Sequence, residues 1–233
     1  MSKSVISYHK KALSLIFNEH FFVNFIKFIF VMLVMNICRA TLFLMPVSSV
    51  LKIKACESII DNKKLNLSEL LKNFSFNPAQ FFKMLIVVLI KVVIIFAGFV
   101  LFFIPGLILA LVFAPVDYLL TANTKNGLDN TLFEASQITK GEKSKLFWIY
   151  AMPLLFILIL FLVQLIVMSI APMAFGLHAF VGIVVFIGLL LALMEMYISS
   201  VMFIRELCQE YYEKDITSTD TQTVFTDTPN GDI

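Results

Sequence analysis

Five ionisable side chains lie within long apolar runs of this sequence, where they are candidates for proton, ion or head-group chemistry. They are Lys27, Arg39, Lys91, Asp117 and Glu195. A charged group at the centre of a bilayer costs at least about 2.5–3.5 kcal/mol, so each one needs either a partner or a function. Lysine and arginine can extend to the head groups, whereas the shorter acidic side chains cannot. Asp117 and Glu195 are therefore the strongest candidates for a functional role.

Helix lengths suggest two candidate ion pairs among these residues. Glu195 lies ten residues before Arg205, about 15 Å from the inner end of its apolar run, and Lys91 lies at a matching depth. Asp117 and Lys27 lie five and six residues from the inner ends of their runs. We therefore predict Lys91–Glu195 and Lys27–Asp117 as candidate pairs. Such pairs would either fix helix packing or form a polar pathway for a proton, an ion or a lipid head group.

No motif of a known catalytic or metal site occurs in the sequence. It contains no Gly-rich phosphate loop, no HExxH and no GxSxG. The three histidines and three cysteines share no metal-ligand spacing: His9, His20 and His178, and Cys38, Cys56 and Cys208. We predict free thiols, no cofactor, no metal and no enzymatic activity.

The composition is that of a membrane protein. Hydrophobic residues make up 60% and charged residues 15% of the chain, against roughly 45–50% and 25% in soluble domains. The net charge of +2 is too small and too dispersed for a nucleic-acid-binding surface. We therefore expect the phospholipid bilayer as the partner, with anionic head groups at a basic cytoplasmic face, and a membrane-protein partner or a second copy as a further one.

The apolar runs are too long to cross a membrane without turning. Residues 81–122 form an apolar stretch of 42 residues, about 63 Å as one helix, twice the roughly 30 Å hydrocarbon core. Proline lacks a backbone donor and glycine admits turn conformations, so we predict turns at Pro46, at Pro105 and Gly106, and at Pro172. The predicted fold is an all-α integral membrane protein of about six helices in three hairpins, with spans at about 21–45, 47–60, 81–104, 107–122, 145–171 and 177–204.

The distribution of basic residues predicts the orientation of these hairpins. The stretches 42–51, 99–112 and 166–184, which surround the three turns, contain no Lys or Arg. Basic residues are enriched in cytoplasmic segments of membrane proteins. The turns are therefore predicted to face outward, with both termini in the cytoplasm of a bacterium and the helices in its inner membrane.

The first hairpin allows an alternative. Its return arm at 47–60 covers only about 21 Å and carries Lys52, Lys54 and Glu57. This segment could instead lie in the interface, which would give five spans and termini on opposite sides. Six spans are favoured because five would place several basic residues outside: Lys63, Lys64 and Lys72.

A short amphipathic segment precedes each hairpin. The three segments are Ser4–Phe17, Asn66–Phe74 and Leu128–Lys140. All are too short to span and lie beside lysines, so we predict helices on the cytoplasmic leaflet. In the third segment Thr131 and Glu134 match a capping box, and Gly141 is a typical helix stop.

The two ends of the sequence differ in character. The apolar stretch from Phe21 is too long for a signal peptide and is followed by Arg39 instead of a small-residue cleavage site, so we expect an uncleaved first helix. From Ile216 onward polar residues dominate without Lys or Arg, which is typical of disorder. The predicted organisation is an amphipathic segment at 1–20, one membrane domain at 21–214 and a disordered cytoplasmic tail at 215–233.

Three short segments carry a family resemblance: IPGLILALVFAP at 104–115, EASQITKG at 134–141 and KLF at 145–147. With these segments the sequence resembles a large group of uncharacterised bacterial inner-membrane proteins. The group includes the YciC-like proteins and the membrane domain found beside some glycerophosphodiester phosphodiesterases. The resemblance implies a multi-pass fold and leaves the function open. The chain departs from the pattern at Asp117, where a proline is expected, and it contains no phosphodiesterase catalytic domain.

These observations lead to a main hypothesis and two alternatives. The main hypothesis is a non-enzymatic inner-membrane protein with a scaffold role or a role in envelope assembly. The first alternative is a small transporter or lipid-handling protein that uses Glu195, Asp117 and Lys91. The second is an accessory subunit of a larger membrane complex.

Overall fold

The computed structural model describes residues 4–17, 20–61, 63, 78–122, 130–170 and 175–226. This part of the chain is helical and contains no β-strand, in agreement with the predicted all-α fold. Its nine α-helices are α1 (Val5–Ile16), α2 (Phe21–Ala40), α3 (Met45–Ile60), α4 (Pro78–Leu101), α5 (Phe103–Val112), α6 (Val116–Ala122), α7 (Thr131–Ile138), α8 (Lys143–Ile170) and α9 (Phe175–Thr226).

Five stretches are long and apolar enough to cross a membrane: Phe21–Ala40, Phe81–Leu101, Phe103–Ala122, Lys143–Ser169 and His178–Glu213. They agree with a multi-pass membrane protein. The remaining predicted span corresponds to α3, which has 16 residues and a length of about 24 Å. Although it is short, α3 lies inside the bundle, in contact with α1, α2, α4, α6 and α9.

The first predicted turn, at Pro46, lies within the described residues. A 3-10 turn at Leu42–Leu44 separates α2 from α3, and Pro46 lies in the first turn of α3. Proline is tolerated there because the first N–H groups of a helix have no partner within the helix. Pro172 lies outside the described residues.

The second turn lies three residues before the predicted position. The chain breaks at Phe102, whose φ of −161° and ψ of 150° are extended, while Pro105 and Gly106 lie in the first turn of α5. An extended residue reverses the chain here, so the turn needs no glycine conformation. Gly106 is instead buried where α4 and α5 cross, and the backbone of Gly98 lies against it.

The first predicted amphipathic segment forms a helix that packs on the bundle. Helix α1 lies against α9, with Tyr8, Ala12 and Ile16 buried. The ring of Tyr8 meets that of Phe203 edge to face at 5.2 Å between centroids. The second predicted segment, at 66–74, lies outside the described residues.

The ends of α7 differ from the predicted caps. Thr131 is the first helical residue, and the N-cap Asn130 makes no side-chain cap hydrogen bond, so the predicted capping box does not form. Thr131 is instead buried against the bundle. At the other end α7 stops at Ile138 with Thr139 as its C-cap, before the predicted stop, and Gly141 has a φ of +89° in the turn that leads to α8.

We expect Gly141→Ala to lower the free energy of unfolding by about 1 kcal/mol, because side chains with a Cβ rarely adopt a positive φ. A Cβ at this position would meet nothing within 4 Å, so the loss would come from the backbone alone. Thermal unfolding in detergent measures the effect. Gly141→Asn should lose less, since asparagine tolerates this region better. Equal stability of the alanine variant and the original chain would contradict the argument.

Helix α9 extends beyond the last predicted span. It continues to Thr226, through a segment whose composition indicated disorder from residue 215. Once a helix is formed, each added residue contributes a further backbone hydrogen bond, which favours continuation. Residues 227–233 lie outside the described part.

Candidate functional site

Asp117 is the centre of a buried polar cluster. Its carboxylate accepts a hydrogen bond from Lys91 Nζ on α4 at 2.8 Å, and its second oxygen lies 3.5 Å from Lys52 Nζ on α3. Ser49 on α3 lies beside the same carboxylate. Asp117 is buried, and both lysine side chains are at most 15% exposed. We call these four residues the Asp117 cluster.

Local sequence explains how these side chains meet. Pro115 lies in the turn at 113–115 that ends α5, so α6 begins at Val116 with Asp117 as its second residue. Ser49 and Lys52 are three residues apart on α3 and therefore share one face of that helix. Both face α6, which packs directly on α3.

Two tyrosines extend the cluster to α8 and α9. Lys52 Nζ lies 5.8 Å from the ring centroid of Tyr197, within the range of a cation–π interaction. Tyr150 on α8 lies beside Ser200 on α9 and close enough to interact with the charges of Lys52 and Asp117. The Ser200 hydroxyl itself donates a hydrogen bond of 2.9 Å to the Tyr197 carbonyl. Contacts of the cluster and its neighbours thus involve α3, α4, α6, α8 and α9.

A second polar contact joins α1 to α9. His9 Nδ1 is hydrogen-bonded to Glu195 Oε1, and Tyr8 donates a hydrogen bond of 2.6 Å to Glu206. Glu195 and Glu206 are eleven residues apart, about 16 Å along the helix axis. The neighbouring side chains of Tyr8 and His9 therefore reach in opposite directions along α9, against which α1 packs. Burial and the Glu206 carboxylate raise the pKa of the Tyr8 phenol, so it remains a donor.

A cavity of about 390 Å³ lies beside the His9–Glu195 pair, between α1, α8 and α9. Its walls are otherwise apolar: Leu13, Ile16, Phe17, Met152, Pro153, Phe156, Gly188, Leu191 and Ala192. Within the described part of the chain, the buried His9 Nε2 has no hydrogen-bond partner. The absence of a side chain at Gly188 allows α9 to approach Leu160 of α8, since a Cβ there would lie 2.8 Å from Leu160 Cδ1.

A third polar region lies on the other side of α1. A cleft of about 420 Å³ is lined by Ser7, Tyr8, Lys11, Ile60, Met202, Arg205, Glu206 and Gln209. Arg205 at its edge is bound to Asp61 at 3.2 Å. Both basic and acidic side chains line the cleft, so its charge favours neither anionic nor cationic ligands.

The predicted site residues are paired differently from the prediction. Lys91 binds Asp117 instead of Glu195, and Glu195 binds His9. Lys27 is half-buried in α2, and Arg39 is exposed in its last turn. Depth in an apolar run gives a height along the bundle, but it does not show which way a helix faces its neighbours. The predicted pairs Lys91–Glu195 and Lys27–Asp117 were therefore wrong, because depth alone does not identify the partner of a charge.

Two important residues were missed by sequence reasoning. Lys52 is the second cation of the Asp117 cluster, and its spacing from Ser49 was the signal available in the sequence. His9 lies next to Tyr8, which the structure shows on the buried face of α1. Neither pattern identifies the acidic partner, because that partner lies far along the chain.

The structure shows no metal centre within its described residues, where no three His, Cys, Asp or Glu side chains are grouped to hold an ion. The three cysteines are buried free thiols. Comparison with protein-family models, with curated proteins and with solved structures finds no match. Function therefore has to be inferred from the Asp117 cluster and the His9–Glu195 pair.

Proposed function

We propose that this chain is a non-enzymatic multi-pass protein of the bacterial inner membrane that acts as a scaffold, with a role in envelope assembly. The observation that carries the proposal is the Asp117 cluster, in which one carboxylate binds two lysines from two other helices. A buried charge that has lost its partner is strongly destabilising. The cluster therefore commits its ionisable groups to holding α3, α4 and α6 together.

The same cluster supports six spans. Lys52 would be costly in a lipid-facing helix, but it lies against Asp117 in the centre of the bundle. The short α3 can then cross as the sixth span, because packing between helices and slight local thinning of the bilayer accommodate a length of about 24 Å. Six spans would place both termini in the cytoplasm, which agrees with the distribution of basic residues. The resemblance to YciC-like proteins supports the bacterial inner membrane as the location.

The alternative of a transporter requires Glu195, Asp117 and Lys91 to line one route. Their ion pairs share no residue: Asp117 binds Lys91 and Lys52, whereas Glu195 binds His9 on α1. This separation favours the scaffold over a transporter. A lipid-handling role that uses Glu195 alone is favoured by a different observation, the apolar cavity beside it.

We expect a cysteine at position 200 to be unreactive toward a membrane-impermeant maleimide applied from either side of sealed vesicles. Ser200 is 2% exposed and contacts Tyr150 next to the cluster, so the scaffold proposal requires a dry environment. The variant Ser200→Cys is made after Cys38, Cys56 and Cys208 are replaced by alanine.

The matched control is Lys63→Cys in the same background, because the Lys63 side chain is 74% exposed. It should react fully, and from the cytoplasmic side only. Rapid labelling at position 200 would show that water reaches the cluster and would favour the transporter. Labelling of the control from the outside would overturn the proposed orientation.

A further inference from the structure

We propose that the cavity between α1, α8 and α9 binds one acyl chain of a lipid with a free hydroxyl group, such as a diacylglycerol. The hydroxyl group lies at His9 and the chain lies along the apolar walls. This inference rests on the lipid-handling alternative at Glu195 and does not depend on the scaffold role.

The size and lining of the cavity fit a hydrocarbon chain. Its volume of about 390 Å³ lies within the roughly 300–1,000 Å³ of small-molecule pockets. It is more than twice the ~150 Å³ of an apolar cavity that stays dry and binds benzene. Apart from His9 and Glu195, the lining side chains carry no polar group. Water would find too few partners along these walls, whereas an acyl chain would fill them.

The mouth of the cavity is also apolar. Leu13, Phe17, Met152 and Phe156 line it and remain 41–60% exposed. Met152 and Phe156 belong to a candidate membrane span, so this exposed surface faces hydrocarbon in a bilayer. A lipid can therefore enter from the side, without leaving the membrane.

The imidazole of His9 supplies the polar end of the site. Its Nδ1 is bound to Glu195, which fixes the ring and turns Nε2 away from that carboxylate. Nε2 is buried without a partner among the residues that the structure describes. A buried polar atom without a hydrogen bond is unfavourable, so a ligand that bonds to Nε2 gains from it.

A hydroxyl group is the head group that suits this position. Nε2 accepts a hydrogen bond in neutral histidine and donates one in the protonated form, and a hydroxyl group can serve in both cases. A carboxylate or phosphate would lie close to the Glu195 carboxylate, and like charges repel strongly where water is scarce. The site therefore favours neutral lipids over fatty acids and phospholipids.

Photo-crosslinking in vesicles tests the proposal. The full chain is reconstituted in phosphatidylcholine with one of three probes that carry a diazirine in the same acyl chain: a diacylglycerol, its O-acetylated derivative, and a free fatty acid. The diacylglycerol is expected to label α1, α8 or α9. The other two probes should label them about five- to tenfold less, since they lose one hydrogen bond or gain a repulsion.

Three variants show which residues the labelling depends on. His9→Phe should reduce diacylglycerol labelling to the level of the acetylated probe. Leu13→Trp fills the mouth and should block all probes while the His9–Glu195 pair stays intact. Ser14→Ala is the matched control, because Ser14 is next to Leu13 on α1 but is exposed and does not line the cavity, and it should label normally.

Equal labelling by the diacylglycerol and its acetylated form would overturn the role of the hydroxyl group. Labelling that Leu13→Trp does not reduce would overturn the cavity as the site. Neither result depends on water access at position 200, so failure of this inference and failure of the scaffold proposal are distinguishable. Thermal unfolding of each variant shows that the bundle is intact.

Discussion

Replacing Asp117 by asparagine is expected to lower the free energy of unfolding by about 3–5 kcal/mol, the largest effect of any single change predicted for this chain. The substitution removes the only carboxylate that the Asp117 cluster contains and leaves the ammonium groups of Lys52 and Lys91 buried together. Two like charges then repel each other with little water to screen them. Unfolding of the reconstituted protein by increasing amounts of SDS measures the loss.

Two controls show whether the loss comes from the unpaired lysines. Glu142→Gln removes one charge from the half-exposed pair with Lys145, and it should cost no more than about 1 kcal/mol. Combining Asp117→Asn with Lys52→Met and Lys91→Met should restore much of the stability, because apolar groups often replace buried ion pairs without loss. If Asp117→Asn and Glu142→Gln cost the same, the cluster does not hold the helices together.

Gly106→Ala is expected to destabilise the protein by about 2–3 kcal/mol, because overpacking at a tight contact forces the backbone to move. A Cβ at Gly106 would lie 2.7 Å from the backbone nitrogen of Phe99 and would also overlap its ring. Backbone atoms cannot rotate away as a flexible side chain can. The expected result is that α4 and α5 separate, which lowers the midpoint of thermal unfolding in detergent.

Gly182 provides a matched control for this prediction. It also lies within a helix, but a Cβ there would meet nothing within 4 Å. Gly182→Ala should therefore be neutral or stabilise the protein by up to about 1 kcal/mol, the difference in helix propensity between the two residues. A similar loss in both variants would show that the effect at Gly106 does not come from helix packing.

The positions of the long helices could be predicted from the sequence, because length and hydropathy set them. The predicted spans at 21–45, 81–104 and 145–171 correspond to α2, α4 and α8 within a few residues. The position of the second turn was predicted less accurately: the chain breaks at Phe102, three residues before Pro105. Proline in the first turn of a helix marks where that helix starts, and the chain can reverse a few residues earlier.

The buried site was harder to predict because apolar patterns say little about burial in a membrane. Lipid tails are as apolar as leucine, so nothing forces apolar side chains toward the inside. Helix α3 shows the result: Ser48 and Ser49 are buried, whereas Leu155 and Phe156 of α8 are exposed. The polar residues of α3 were the better signal of the centre of the bundle. Their partners on α4 and α6 depend on packing that no local pattern contains.

The packing of α1 against α9 has a consequence for how the protein is made. The polar contacts between these two helices join residues separated by 198 and 186 positions along the chain. Synthesis proceeds from the N-terminus at about 5–20 residues per second, so Tyr8 leaves the ribosome well before Glu206. The polar contacts of α1 with α9 can therefore form only after residues 195–206 have been made, so α1 completes its packing late. A ribosome that stalls before residue 195 leaves α1 without both of these contacts, which makes α1 more open to proteases.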